Sequence, residues 1–168
     1  MALKKTSEIV SISFSINESA ANTFTQEQID LQLSPLDQEV FVVVAVDMDP
    51  SAPDCIAGAR TQSLSTLTKS SQTSYKNLGN SNTIATAKRE LVTEGAGTAA
   101  GAFQQSALDT PVAEAKYIDV IATNNFFVAI QGVNNLVTMS MNGRLWGYRA
   151  KADAGLYAAL VSSEQLSA

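Results

Sequence analysis

Residues 41–46 read Phe-Val-Val-Val-Ala-Val, an unbroken apolar run in which four of the six side chains are valine. Apolar and polar residues alternate in a strand that has one wet face, and this run shows no such alternation. A short β-branched segment of this kind is typical of a central strand that is covered on both faces. The run therefore predicts a β-sheet with packing partners on each side.

The segments around this run predict further strands. Apolar residues alternate with polar ones in Glu8–Ile16 and in Ile29–Leu33, which indicates two half-buried strands before the run. After it, strands are predicted at Thr61–Thr68, Thr83–Leu91, Tyr117–Ile121, Phe126–Gly132, Leu136–Met141 and Arg144–Arg149. The pair Asn142-Gly143 tolerates the positive φ angles of a type I′ turn, so the last two strands are predicted to form a hairpin.

The end of the chain predicts a helix. Asp153 can cap a short helix that carries Leu156, Tyr157, Leu160 and Val161 on one face.

About eight strands followed by one helix predict an all-β fold, a two-sheet antiparallel sandwich that is jelly-roll-like. We expect one domain over residues 1–168, with a flexible N-terminus at 1–7 and the C-terminal helix and tail at 152–168. The small-residue segment Thr93–Ala102 predicts a mobile loop.

Composition excludes several classes of enzyme. The chain has no histidine and one cysteine, Cys55, so Ser-His-Asp and Cys-His catalysis and zinc sites lack their usual residues. We therefore predict that the protein is not an enzyme. Lys4 and Lys5 precede no apolar segment of the signal-peptide type, and no run reaches the roughly 18 to 20 apolar residues of a membrane span. The chain is expected to be neither secreted nor transmembrane.

One group of acidic residues has ligand-like spacing. Asp47, Asp49 and Asp54 follow the apolar run and offer the oxygen ligands that calcium or magnesium prefers. Calcium is thus the one candidate cofactor, and otherwise none is predicted. The alternative is that these residues solvate the end of an apolar strand and shape a proline-containing turn.

Charge is distributed unevenly along the chain. Residues 6–59 hold nine acidic side chains and no Lys or Arg, whereas residues 60–89 hold five basic side chains and no acid. If the two segments lie on different faces, they offer a head-to-tail contact between copies, with Arg60, Lys88 and Arg89 as interface candidates. The alternative is that folding interleaves these strands and mixes the charges.

Aromatic residues in neighbouring predicted strands give a second kind of candidate. Trp146 and Tyr148 lie on one strand and Phe126 on another, and cross-strand packing is enough to explain them. They are also candidates for an interface or for a platform that binds sugar rings.

The size, the β-rich pattern, the polar Ser/Thr/Asn/Gln character and the missing catalytic residues resemble the viral single jelly-roll capsid proteins. The resemblance covers residues 8–150 at the level of fold class, without a family-specific motif. It implies a structural, self-assembling capsid subunit that is made in the host cytoplasm, resides in the virion and binds copies of itself, other virion proteins or an internal membrane. The net charge of −5 argues against direct nucleic-acid binding.

Two other functions fit the same residues. The first is a carbohydrate- or ligand-binding β-sandwich module that uses the aromatic residues and calcium at the Asp47 group. The second is a glycoside hydrolase that acts with carboxylates alone, which requires two carboxylates facing one cleft at a fixed separation.

Overall fold

The computed structural model describes residues 3–93, 95, 100–106 and 116–167. These residues form ten strands, one 3₁₀ turn and one helix. In chain order the elements are β1 (Leu3–Lys5), β2 (Val10–Asn17), β3 (Thr25–Asp30), the 3₁₀ turn (Pro35–Asp37), β4 (Glu39–Pro50), β5 (Arg60–Thr68), β6 (Thr83–Thr93), β7 (Ala100–Ser106), β8 (Asp119–Ile121), β9 (Asn125–Val133), β10 (Ser140–Ala152) and α1 (Ala154–Leu166).

The strands form two antiparallel sheets, which confirms the predicted all-β sandwich. Sheet I has five strands: β1 and β2 share one edge of β10, which is followed by β4 and β8. Sheet II contains β3, β9, β5, β6 and β7 in that order. If β1 and β7 are set aside and the remaining eight strands are renumbered 1 to 8 in chain order, the strand order is 1-8-3-6 in sheet I and 2-7-4-5 in sheet II. That is the strand order of a jelly roll, in which two Greek keys wrap around one core.

The N-terminal segment lies along one edge of sheet I. β1 pairs with β10 at Ala150–Ala152, and β2 pairs with the same edge of β10 at Ser140–Gly147. Between them, the amides of Thr6 and Ser7 both donate to the carbonyl of Arg149. Leu3–Lys5, within the segment expected to be flexible, thus form a strand of the sheet.

β4 is covered on both faces, as its sequence predicts. Phe41, Val43, Val46 and Met48 belong to the core between the two sheets. Val40 and Val42 point to the other side, where a second apolar cluster packs against α1. Asp153 caps this helix, since its carboxylate accepts a hydrogen bond from the amide of Leu156 at 2.8 Å. The predicted apolar face of Leu156, Tyr157, Leu160 and Val161 packs on that cluster.

The predicted hairpin at Asn142-Gly143 is wrong. β10 continues through both residues as a single strand, and Leu136 and Val137 precede it in an exposed loop. Gly143 has no positive φ angle. A Cβ at this position would collide with the ring of Phe14, and one at Gly147 would collide with the ring of Phe41. These glycines therefore let phenylalanine side chains of the core cross β10, which is a packing requirement and not a turn signal.

Two further predictions concern the chain between β6 and β8. Of the loop predicted at Thr93–Ala102, residues 94 and 96–99 lie outside the described residues, while its two ends belong to β6 and β7. The strand predicted at Tyr117–Ile121 is confirmed in its second half as β8. The described part of the chain contains no helix with the length and apolar content needed to cross a bilayer.

Candidate interaction surfaces

The three aspartates predicted as calcium ligands serve different contacts. Asp49 pairs with Arg89 of sheet II at 2.6 Å, and Asp47 lies exposed on the outer face of sheet I. The Asp54 carboxylate instead accepts hydrogen bonds from the backbone amides of Leu136 and Val137, at 2.7 and 3.2 Å. Within the described ranges, no three His, Cys, Asp or Glu side chains are grouped so as to hold a metal ion.

The basic interface candidates are paired within the chain. Arg60 and Lys88 both contact Glu90, which is buried between them, with a distance of 2.5 Å from Lys88 Nζ. Arg89 contacts Asp49 across the two sheets. In the folded chain a carboxylate lies beside each of the three cations. Little unpaired positive charge therefore remains here for a head-to-tail contact between copies.

A depression over the outer face of sheet II lies beside this ion-pair group. Its walls include Gln62, Tyr75, Asn77 and Lys88. Burial raises the pKa of Tyr75, against a smaller opposite effect of its hydrogen bond with Thr86. Burial also lowers the pKa of Lys88, and the positive charge of Arg60 lowers it further. Both shifts disfavour charge in this depression.

The three aromatic candidates do not form one platform. Phe126 is fully buried in the core, where its ring meets Phe14 edge-on with centroids 6.2 Å apart. Tyr148 packs into the cluster under α1, and Lys5 lies 5.3 Å from its ring centroid. Trp146 remains partly exposed on the outer face of sheet I. Only Trp146 is therefore placed to meet a ligand there.

Around Trp146 the outer face of sheet I is a regular array of side chains. Residues directly opposite each other in antiparallel strands share a face. Three such rows cross β2, β10 and β4. We name this array the polar face, and its rows are Ser15–Asn142–Asp49, Ser13–Arg144–Asp47 and Ser11–Trp146–Ala45.

Among the described residues, α1 covers the other part of sheet I and leaves the polar face open. Under the helix the outward residues are apolar and small, among them Val42 and Ala150. Beyond it, six polar-face residues together with Phe14 and Gly143 line an open depression of about 540 Å³. Arg144 donates a hydrogen bond to Ser13 Oγ at 3.2 Å and lies 5.9 Å from the Trp146 ring centroid.

A second surface lies at the end of the sandwich where β9 turns into β10. The loop there is held by Glu18, Asn22, Asp54 and Asn135, which we name the loop network. The buried Glu18 carboxylate accepts from the amides of Gly132 and Met139, at 2.5 and 2.6 Å. It also accepts from the amide of Thr23 at 3.1 Å. One carboxylate thus joins the β2–β3 loop to both ends of the β9–β10 loop.

The other members of the loop network complete the connection. Asn22 and Asn135 exchange two side chain–backbone hydrogen bonds of 2.7 Å each. The Asn135 side chain also accepts from the amide of Asp54 at 2.9 Å and donates to the carbonyl of Gln62 at 2.8 Å. Three loops are therefore fixed to one another by side chains that are distant in sequence.

This network carries exposed apolar side chains. Leu136 is 80% exposed and Val137 is 56% exposed, although the amides of both bind the Asp54 carboxylate. We name these two residues the apolar tip. Its backbone is rigidly bonded while its side chains face solvent, which is the arrangement of a preformed contact surface.

Sequence reasoning missed the apolar tip, since Leu136 and Val137 were assigned to a strand. The contacts that fix it join residues more than 80 positions apart, such as Asp54 with Leu136. In the structure, Asn22 and Asn134 both adopt positive φ angles, of 60° and 58°. Asparagine is among the few residues that tolerate this conformation, so the pair Asn134-Asn135 is a local sign of a turn, although it does not show which residues bind the loop.

Comparison with protein-family models, with curated proteins and with solved structures found no match.

Proposed function

We propose that this protein is a structural, self-assembling subunit, of the kind that builds a viral capsid from single jelly rolls. One observation carries the proposal: the apolar tip is exposed at one end of the jelly roll while its backbone is held by the loop network. The occupant we assign to the tip is a second copy of this chain.

The loop network supports a role of the apolar tip in contacts between subunits. Burying a carboxylate such as Glu18 carries a desolvation cost, which its three backbone hydrogen bonds offset. A polar tip would be the ordinary choice for a loop that only connects two strands. Two large aliphatic side chains on a fixed backbone instead lose little conformational entropy when a partner covers them.

The charges around the tip favour another copy over a bilayer or a nucleic acid. The chain has a net charge of −5, which repels anionic lipid and phosphate surfaces and, because its charge density is lower, repels another copy less strongly. The nearby cations Arg60 and Lys88 are bound to Glu90. An apolar contact between like subunits needs no such positive charge.

The test compares the wild-type chain with the double variant Leu136→Ser/Val137→Ser by light scattering and electron microscopy. We expect the wild type to assemble as its concentration rises. Burying one such aliphatic side chain is worth about 1.5–3 kcal/mol, so the double variant is expected to associate at least about tenfold more weakly.

Leu36→Ser is the matched control, because Leu36 is 96% exposed on the 3₁₀ turn outside the tip. We expect it to assemble like the wild type. A wild-type chain that stays monomeric at high concentration contradicts the proposal, as does a double variant that assembles normally. Small closed oligomers in place of shells or lattices would retain self-assembly and contradict the capsid form.

A further inference from the structure

The polar face carries a second inference that goes beyond assembly. We propose that it binds a neutral oligosaccharide, with Trp146 as the stacking residue and Ser13, Asp47, Asn142 and Arg144 as hydrogen-bonding residues. The site uses no calcium ion. It lies on the outer face of sheet I, on β2, β10 and β4.

The position of Trp146 supports stacking against a sugar ring. Its direct neighbours across the sheet are Ser11 and Ala45, whose side chains are small, and the indole is partly exposed. The Arg144 guanidinium lies over one face of the ring, 5.9 Å from its centroid, and is held by Ser13, so a sugar ring would stack on the opposite face. An indole with one apolar face and adjacent polar groups suits a ligand that is itself amphipathic, as a sugar ring is.

The hydrogen-bonding groups of the face match a polyhydroxylated ligand. Each sugar hydroxyl both donates and accepts, so it needs donors and acceptors side by side. The face offers serine hydroxyls, the Asn142 amide, the Arg144 guanidinium and the Asp47 carboxylate. These groups line the open depression of about 540 Å³, and Trp146 lies in the neighbouring row outside its lining.

The charge balance selects a neutral ligand. The carboxylates of Asp47 and Asp49 are matched by the guanidiniums of Arg144 and Arg89, the last of which is bound to Asp49 at 2.6 Å. Nucleic acids and anionic ligands require an excess of positive charge. The carboxylate of Asp54, a third calcium ligand in the sequence-based prediction, binds the backbone of the apolar tip instead.

Trp146 is the only tryptophan of the chain, so its fluorescence reports on this site alone. The experiment titrates the full chain with neutral oligosaccharides built from glucose, mannose or galactose, with and without EDTA. We expect a saturable change in emission for at least one of them, with a dissociation constant on the order of 1 mM for so open a site. Binding is expected to persist in EDTA.

Calorimetry then compares variants. Trp146→Ala and Asn142→Ala are expected to weaken binding roughly tenfold or more. Tyr148→Phe, an aromatic position two residues along the same strand but under α1, is expected to bind normally. The Leu136→Ser/Val137→Ser variant is also expected to bind normally, which separates this inference from the assembly proposal.

Three results would overturn the inference. The first is that none of the oligosaccharides changes the emission of Trp146. The second is that Trp146→Ala binds as tightly as the wild type. The third is that EDTA abolishes binding, which would assign recognition to a cation.

Discussion

Both ends of β9 are held by a buried glutamate, but the two ends differ in what covers the apolar residues beside them. Before β9, Glu164 of α1 accepts hydrogen bonds from the amides of Ala122 and Thr123, at 2.8 and 3.0 Å. At the other end, Glu18 accepts from the amides of Gly132, near the end of β9, and of Met139 in the loop after it. The nine residues of β9 separate these sites by about 30 Å.

At the Glu164 end α1 covers the apolar outer residues of sheet I, although Leu166 in its last turn is itself exposed. α1 packs over Val40, Val42 and Ala150, and Asn82 fixes its last turn by donating to the carbonyl of Glu164 at 3.1 Å. At the Glu18 end an equally well-bonded structure leaves Leu136 and Val137 outside. The chain therefore covers the apolar outer residues of sheet I with α1, whereas no described element covers Leu136 and Val137, which is why we assign the tip to a partner.

Among these predictions, the largest effect is expected from replacing Glu18 by alanine, which removes the acceptor at one end of β9. Three backbone amides lose their acceptor, two of them in buried surroundings. Each unsatisfied buried group costs about 1–3 kcal/mol, so we expect the free energy of unfolding in urea to fall by about 3–5 kcal/mol. Self-association is expected to fall as well, because the apolar tip loses its support. A loss below about 1 kcal/mol would mean that Glu18 does not hold the loops.

Replacing Glu164 by alanine is expected to have a smaller and different effect. Two amides lose their acceptor and α1 loses one attachment, so we expect a loss of about 2–4 kcal/mol in the same urea experiment. The apolar tip keeps its network, and association of the folded protein is expected to match the wild type in light scattering. If both variants lost association equally, the two ends would not be distinct in function.

Much of the fold was predictable because its signals are local. The run at Phe41–Val46 predicted a strand covered on both faces, and core residues and α1 cover it. Asp153 predicted the start of α1 from its capping chemistry. The prediction of a hairpin at Asn142-Gly143 is wrong because the sequence alone does not distinguish a glycine that makes room for a ring from a glycine that forms a turn.

The candidate sites depended on contacts that no local pattern reveals. Arg89 is paired with Asp49, forty positions away in sequence, and Asp54 is directed toward the backbone of the tip. Trp146 and Tyr148 look equivalent along β10, but Tyr148 packs in the cluster under α1, whereas Trp146 lies partly exposed outside that cluster. Only the folded arrangement separates these roles.

Cys55 allows the most direct test of assembly through the tip. It is the only cysteine, it is exposed, and it follows Asp54, whose carboxylate binds the amides of Leu136 and Val137. The measurement is the rate at which a maleimide labels Cys55 as protein concentration rises, with light scattering on the same samples. We predict that labelling slows as assembly proceeds and stays fast in Leu136→Ser/Val137→Ser. Assembly with an unchanged labelling rate, or no assembly at all, would contradict the account.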